Sequence, residues 1–134
     1  VKVETLSLLI VDEDQSMRQL LATMVSDRYR SVTVAAPAEV GRLFALESFD
    51  VMIAPRIQAK SEDDDDSSEA EYLRGSAAIR SGVTGNIYEF TAINQKASSL
   101  VSDPFERVML QVAIERSELS LRQVKRITEH DAIF

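Results

Sequence analysis

Asp12, Glu13 and Asp14 follow directly on an apolar run, residues 6–11 (LSLLIV), so a buried strand would deliver a group of carboxylates to its C-terminal tip. Carboxylates so placed can hold a divalent cation, transfer protons or attack a phosphoryl group. Three further places carry residues with chemical potential. Pro55 and Arg56 end a second apolar run, residues 49–54 (FDVMIA); Ser81 follows a short run at 77–80; and Asp103, Pro104 and Phe105 follow a third, residues 100–102. Cysteine is absent and His130 is the lone histidine, which excludes disulfides, thiolate zinc sites, cysteine nucleophiles and histidine metal clusters. His130, near the end of a helix, reads as an exposed helix-end residue. The aspartate run 63–66 lacks the glycine turn of a calcium loop and reads as solvated chain.

Elements of alternating type must position these groups. The chain has 134 residues, 45% hydrophobic and 28% charged, which fits one globular domain with its own core. Its net charge of −7 makes nucleic-acid binding by this segment improbable, and no apolar stretch approaches a membrane span, so a cytoplasmic protein is the simplest reading. The valine at position 1 suggests a piece of a longer protein. Strands are expected at 6–11, 32–35, 51–54, 77–80 and 100–102. Helices are expected from Gln15 to Arg28 with Asp14 or Ser16 as cap, from Pro37 with a buried stripe of Val40, Leu43 and Phe44, at 86–97, and from Phe105 to Thr128. Residues 59–68 read as a mobile acidic loop and 69–73 as a short helix. The last helix, about 35 Å long, exceeds what a five-stranded sheet needs, so its C-terminal half is expected to project. Alternation of this kind predicts an α/β fold, a five-stranded parallel sheet with helices on both faces and ligand sites at the carboxyl ends of its strands.

The order and spacing of these pieces, above all LLIVDEDQSMRQLL at the first strand and SSLVSDPFE at the fifth, resemble the receiver domains of two-component response regulators. The resemblance covers the chain to about Ser120. It implies a flavodoxin-like fold, an acid pair that holds Mg²⁺, a phosphoaccepting aspartate ending the third strand, a hydroxyl ending the fourth, and a lysine followed by a cis-proline ending the fifth. By position Asp12 and Glu13 match the acid pair and Ser81 the hydroxyl. Pro55 stands in the acceptor slot, Asp103 in the lysine slot, and Leu100 where many members carry a switching aromatic. Proline offers no nucleophile, so aspartyl-phosphate chemistry cannot occur at that position. Ser81 then reads as a hydrogen-bonded strand-end serine, and the resemblance implies a cis peptide before Pro104.

Replacing the lysine by Asp103 would bring three carboxylates together, with Arg56 as the nearest partner and Lys60 and Arg80 behind it. Asp12 and Glu13 are accordingly read as a vestigial metal pair, Mg²⁺ being the one cofactor considered. In the last helix Leu110, Ile114, Ser117, Leu121, Val124 and Thr128 recur at alternating four and three, a weak coiled-coil seam beside the Glu118–Arg122 pair. The expectation is a non-enzymatic, phosphorylation-independent receiver-like domain over 1–120, a linker or signalling helix over 121–134 leading to an effector domain, and a homodimer through that helix. Two alternatives stay open. One is a cation sensor using Asp12, Glu13 and Asp103. The other is a phosphatase resembling the haloacid dehalogenases, with Asp12 as nucleophile and Asp14 as general acid.

Overall fold

The computed structural model describes residues 2–56 and 76–133. The acidic run 59–68 with Asp63–66, Lys60 and the helix expected at 69–73 lie outside the described residues, as does the side chain of His130. β1 (Ser7–Val11) leads into α1 (Gln15–Val25), β2 (Ser31–Ala35), a 3-10 turn (Pro37–Glu39), α2 (Val40–Leu46) and β3 (Val51–Pro55). After residue 75 come β4 (Ser76–Arg80), β5 (Ile87–Ala92), the short α3 (Ser98–Val101) and α4 (Pro104–Ile133).

The strands form one mixed sheet in the order β2-β1-β3-β5-β4. β1 pairs in parallel with β2 and with β3, as expected for right-handed β-α-β crossovers. β5 runs antiparallel to both β3 and β4, so the all-parallel sheet is corrected to a mixed one. The reversal lies in residues 87–92, read above as helix from Ile87, Phe90, Ile93 and Ala97. Those positions also satisfy a strand: β-branched and aromatic residues dominate IYEFTA, and burial alternates through Tyr88 and Phe90. A six-residue turn then returns β4 onto β5, a local hairpin that requires no crossover helix. Arg80, awkward in a buried strand, is accommodated because β4 is an edge strand and Arg80 is exposed.

Residues 100–102 are not a fifth strand. Leu100 and Val101 lie buried in α3, and Asp103 caps α4. Its carboxylate accepts hydrogen bonds from the Phe105 amide at 2.9 Å and the Glu106 amide at 3.5 Å, with Pro104 at the first helical position. No peptide bond among the described residues is cis, so the expected cis-Pro104 is corrected as well. The sequence Asp-Pro-Phe-Glu is here a helix start.

One face of the sheet carries the main core. Leu8, Ile10, Val51, Ile53, Ile79, Tyr88 and Phe90 meet Met17, Leu21 and Val25 of α1, Leu100 of α3, and Leu110 and Ile114 of α4. Leu9, Val11, Ala35 and Phe49 make a smaller cluster on the opposite face, with Val40 and Leu43 of α2 against it. The α2 stripe is more open than expected, Phe44 being 43% exposed and meeting Phe49 edge to face.

Asp50 joins the strands at the end opposite their carboxyl tips. Its carboxylate accepts from the Ser7 amide at 2.8 Å and from Asn94 Nδ2 at 2.6 Å, while its backbone accepts from Ile93 and donates to Ser7. Burial pushes this carboxyl up, but the Asn94 and Ser7 hydrogen bonds, with Lys96 and Arg30 nearby, leave it below the ordinary aspartate range. Stability from Asp50 is therefore present above about pH 4 and lost as pH falls through its depressed folded value. Asp50→Ala should cost about 2 kcal/mol in chemical denaturation at pH 7, since it strips a charged acceptor from the buried Ser7 amide and from the Asn94 side chain. It should also flatten the acid limb of the stability profile; an unchanged limb would remove Asp50 as its source.

Candidate functional site at the carboxyl ends of the strands

The carboxyl ends of β1, β3 and β4 lie together, and Asp12 sits between two clefts there. Its position is fixed on three sides. The Asp12 amide donates to Ala35 O at 3.2 Å, its Oδ1 accepts from the Asp14 amide at 3.0 Å, and its carbonyl accepts from Arg18 Nη1 at 2.5 Å. Asp14 caps α1, accepting from the Met17 amide at 3.1 Å. Glu13 is exposed at the rim.

The first cleft, about 390 Å³, lies between the tips of β1 and β3 and is lined by Val11, Asp12, Glu13, Pro37, Ala54, Pro55 and Arg56. Sequence reasoning thus placed Asp12, Glu13 and Pro55 together correctly. Arg56 lines this cleft and also engages Glu89: its Nε lies 3.0 Å from Glu89 Oε1 on β5, and both side chains are largely covered. Asp103 is not in the pocket. The Arg28–Glu106 and Lys125–Asp14 ion pairs mark the two ends of the α1–α4 contact, so Asp103, beside Glu106, lies at the far end of α4, about 30 Å along the helix from Lys125. The lysine slot inferred from SSLVSDPFE does not exist because that segment forms α3 and a cap. The trio Asp12, Glu13 and Asp103 is therefore not assembled.

The second cleft, about 320 Å³, opens on the other side of Asp12, between α1, the β4–β5 turn and α4. Ser81 directly follows β4, at the strand end where it was expected, and is buried. Its hydroxyl donates to Glu118 Oε2 and accepts from the amides of Val83 and Thr84 at 3.1 and 3.2 Å, so its hydrogen-bonding capacity goes to the turn and to α4. Gly82 donates its amide to Glu115 Oε1 at 3.0 Å, and a Cβ at Gly82 would approach that oxygen to 2.6 Å. Gly85 takes φ +78°, where glycine is favoured. Arg122 Nη2 reaches Val83 O at 3.1 Å. Three residues of α4 thus grip one turn.

Tyr88 and Glu118 are the site residues that sequence reasoning missed. The signal for Tyr88 was the period-two alternation of 87–92. For Glu118 it was an acid on the inward face of a helix, one turn from Ile114 and Leu121, where an i,i+4 partner was instead assumed. Burial raises the Tyr88 phenol far above its ordinary value, and the charges of Asp12, Glu118 and Asp14 add to that. Burial also raises the Asp12 carboxyl against the bonds from the Asp14 and Glu13 amides. Asp14 is lowered by its bond from the Met17 amide and by Lys125.

The helix residues read as a seam divide by depth. Leu110 and Ile114 are fully buried against the sheet and Ser117 with them, Leu121 packs at the edge of the core, and Val124 is 51% exposed. From Arg122 to Thr128 the helix is exposed.

The electrostatics of Asp12 yield a sign. Partial burial makes ionisation of this carboxyl cost more in the folded chain than in the unfolded one, so its charge opposes folding at neutral pH, and that opposition is relieved as pH falls through the raised folded value. Asp12→Asn keeps an oxygen for the Asp14 amide and removes the charge. We expect a thermal transition at pH 7 at or slightly above that of the parent; a large loss would show that the charge itself is structural.

Comparison of the chain with family models, with curated proteins and with solved structures finds no match, so the functional reading stands on residue chemistry and geometry.

Proposed function

We propose that this chain is a degenerate receiver-like regulatory module: non-enzymatic, independent of phosphorylation, and joined through α4 to an effector domain of a larger signalling or transcription regulator. Its flavodoxin-like part is the β1-α1-β2-α2-β3 half, and β4 and β5 complete the sheet in mixed orientation. The observation that carries the reading is Pro55 at the tip of β3, lining one cleft with Asp12 and Glu13. A phosphoacceptor would stand there, and proline can neither attack a phosphoryl group nor donate a backbone hydrogen bond to one. Commitment of the Ser81 hydroxyl to Glu118 and the turn supports the same conclusion. With that chemistry gone, output rests on a standing surface, and the exposed end of α4 supplies one.

Among the described residues no helix is long and apolar enough to cross a membrane, and no group of three or more carboxylate, histidine or cysteine side chains is placed to hold a metal ion. The phosphatase alternative gains nothing from the geometry, because the Asp14 side chain caps α1 and faces Lys125.

Two outcomes follow. Incubation with acetyl phosphate and Mg²⁺ should leave the intact mass unchanged, and an acid-labile adduct of one phosphoryl group would overturn the reading. In sedimentation, the parent chain should self-associate, and Val124→Glu with Ile127→Glu should weaken that association at least tenfold while leaving the thermal transition within about 0.5 kcal/mol, both side chains being more than half exposed. A parent monomeric at all accessible concentrations would remove the dimer from the proposal.

A further inference from the structure

The two edges of the sheet differ in how they meet solvent. β4 carries the exposed Arg80, and the Gln111 side chain of α4 donates to the Arg80 carbonyl, so a charge and a side-chain cap blunt that edge. β2, the other edge, reads Ser-Val-Thr-Val-Ala, with no charge, proline or glycine in it, and among the described residues it pairs only with β1. Val34 is 40% exposed there. Successive residues of a strand turn their backbone groups to opposite sides. Ser7 O accepts from the Asp50 amide on the β3 side, and Ala35 O accepts from the Asp12 amide. Within the β1–β2 register, Ser31, Thr33 and Ala35 therefore face β1, while Val32 and Val34 turn their donors and acceptors outward.

Such an edge is complementary to a second copy of itself. Turning another β2 antiparallel about a two-fold axis at Thr33 sets Val32 opposite Val34 of the second copy, so the outward backbone groups of both meet as hydrogen-bonded pairs. Thr33 then faces its own equivalent, and valine–valine and threonine–threonine pairs across strands are both favourable. Charge agrees with the same register. Arg30 comes opposite Ala36 of the second copy, and the Glu39 carboxylate sits at the Ala36 amide, 3.0 Å away. Arg30 and Glu39 are both exposed, so opposite charges flank the paired valines at each end. A shift of one residue would oppose outward groups to inward ones and lose the match.

We propose that β2 is a self-association edge, at which two copies of this chain pair antiparallel about Thr33 into one continuous sheet. The inference goes beyond the receiver-like reading, which places association on α4.

The chain has no cysteine, so an introduced one reports on a single place. Residues opposed in a non-hydrogen-bonded antiparallel pair stand about 4.5 Å apart at Cα, within disulfide reach. Thr33→Cys, oxidised with diamide, should form a disulfide-linked dimer about tenfold or more faster than Leu46→Cys, although Leu46 is 74% exposed. Adding Val34→Lys, a charge on the exposed edge, should return Thr33→Cys to the rate of that control. All these variants also carry Val124→Glu and Ile127→Glu, which takes the α4 contact out of the comparison and lets the two readings fail separately. In the parent chain, hydrogen exchange at the Val32 and Val34 amides should slow as protein concentration rises, a readout that no cysteine variant can disturb. The proposal is overturned by Thr33→Cys cross-linking no faster than Leu46→Cys, by a rate that Val34→Lys leaves unchanged, or by exchange at Val32 and Val34 that is independent of concentration.

Discussion

The carboxylate of Asp50 is the point on which the sheet turns. It receives the amide that starts β1 and the side chain of Asn94 just past β5, and its own backbone bonds to both neighbours. Parallel and antiparallel strands need different partners at their ends, and one residue at the head of β3 supplies both. With the bottom of the sheet so fixed, the register of β3 on β5 sets Pro55 opposite Tyr88 at the top. The neighbours of the strand-tip acids are in this sense decided at the other end of the molecule. The charged bonds matter more for this placement than for net stability, because an acceptor with two assigned donors selects one register among those the apolar pattern would tolerate.

The first half of the chain was legible because it obeys independent local signals that agree. A run of apolar residues ending in acids, an aspartate cap and an amphipathic stripe all specify β1 and α1, and the observed cap is Asp14. The second half contains two segments whose local signals do not discriminate. Residues 87–97 carry apolar positions compatible with both periods; the buried pair Tyr88 and Phe90, facing the core between β3 and β4, resolves them as a strand. Asp103-Pro104 is equally good at ending a strand and at starting a helix, and the amides of Phe105 and Glu106 decide it. The site suffered accordingly: Asp12, Glu13, Pro55 and Ser81 were placed correctly at strand ends, Asp103 was not, and Glu118 and Tyr88 could not be found before β5 and α4 had been set beside one another.

Charge within the domain is distributed unevenly, and the two ends of α4 show how. Near its start the buried Glu106 pairs with the half-buried Arg28, yet burial still raises the Glu106 carboxyl above its ordinary range, with the Tyr29 hydroxyl and Glu106 Oε2 both without a hydrogen-bond partner. Near its other end the Lys125–Asp14 pair is open to water. A buried pair resists separation because each partner would leave an uncompensated charge in low dielectric, whereas a solvated pair parts readily. The helix is thus anchored at its start and loosely tethered near Lys125.

That asymmetry gives α4 the mechanics of a lever. Its buried stretch, through Leu110, Ile114 and Ser117, cannot shift without opening the core, so motion is confined to the part beyond Leu121. Glu115, Glu118 and Arg122 span this boundary and all engage the β4–β5 turn. The Gly82 amide lies 3.0 Å from Glu115 Oε1, so the turn and the helix meet at hydrogen-bond distance. A displacement of the turn must then be borne by the helix just where it becomes able to move. At 1.5 Å per residue, the segment from Arg122 to Ile133 extends about 17 Å beyond the grip, so a small angular change at the turn becomes a translation of several ångströms at the far end. The chemistry of the β1–β3 cleft at Pro55 leaves this linkage untouched, because none of its hydrogen bonds passes through that cleft.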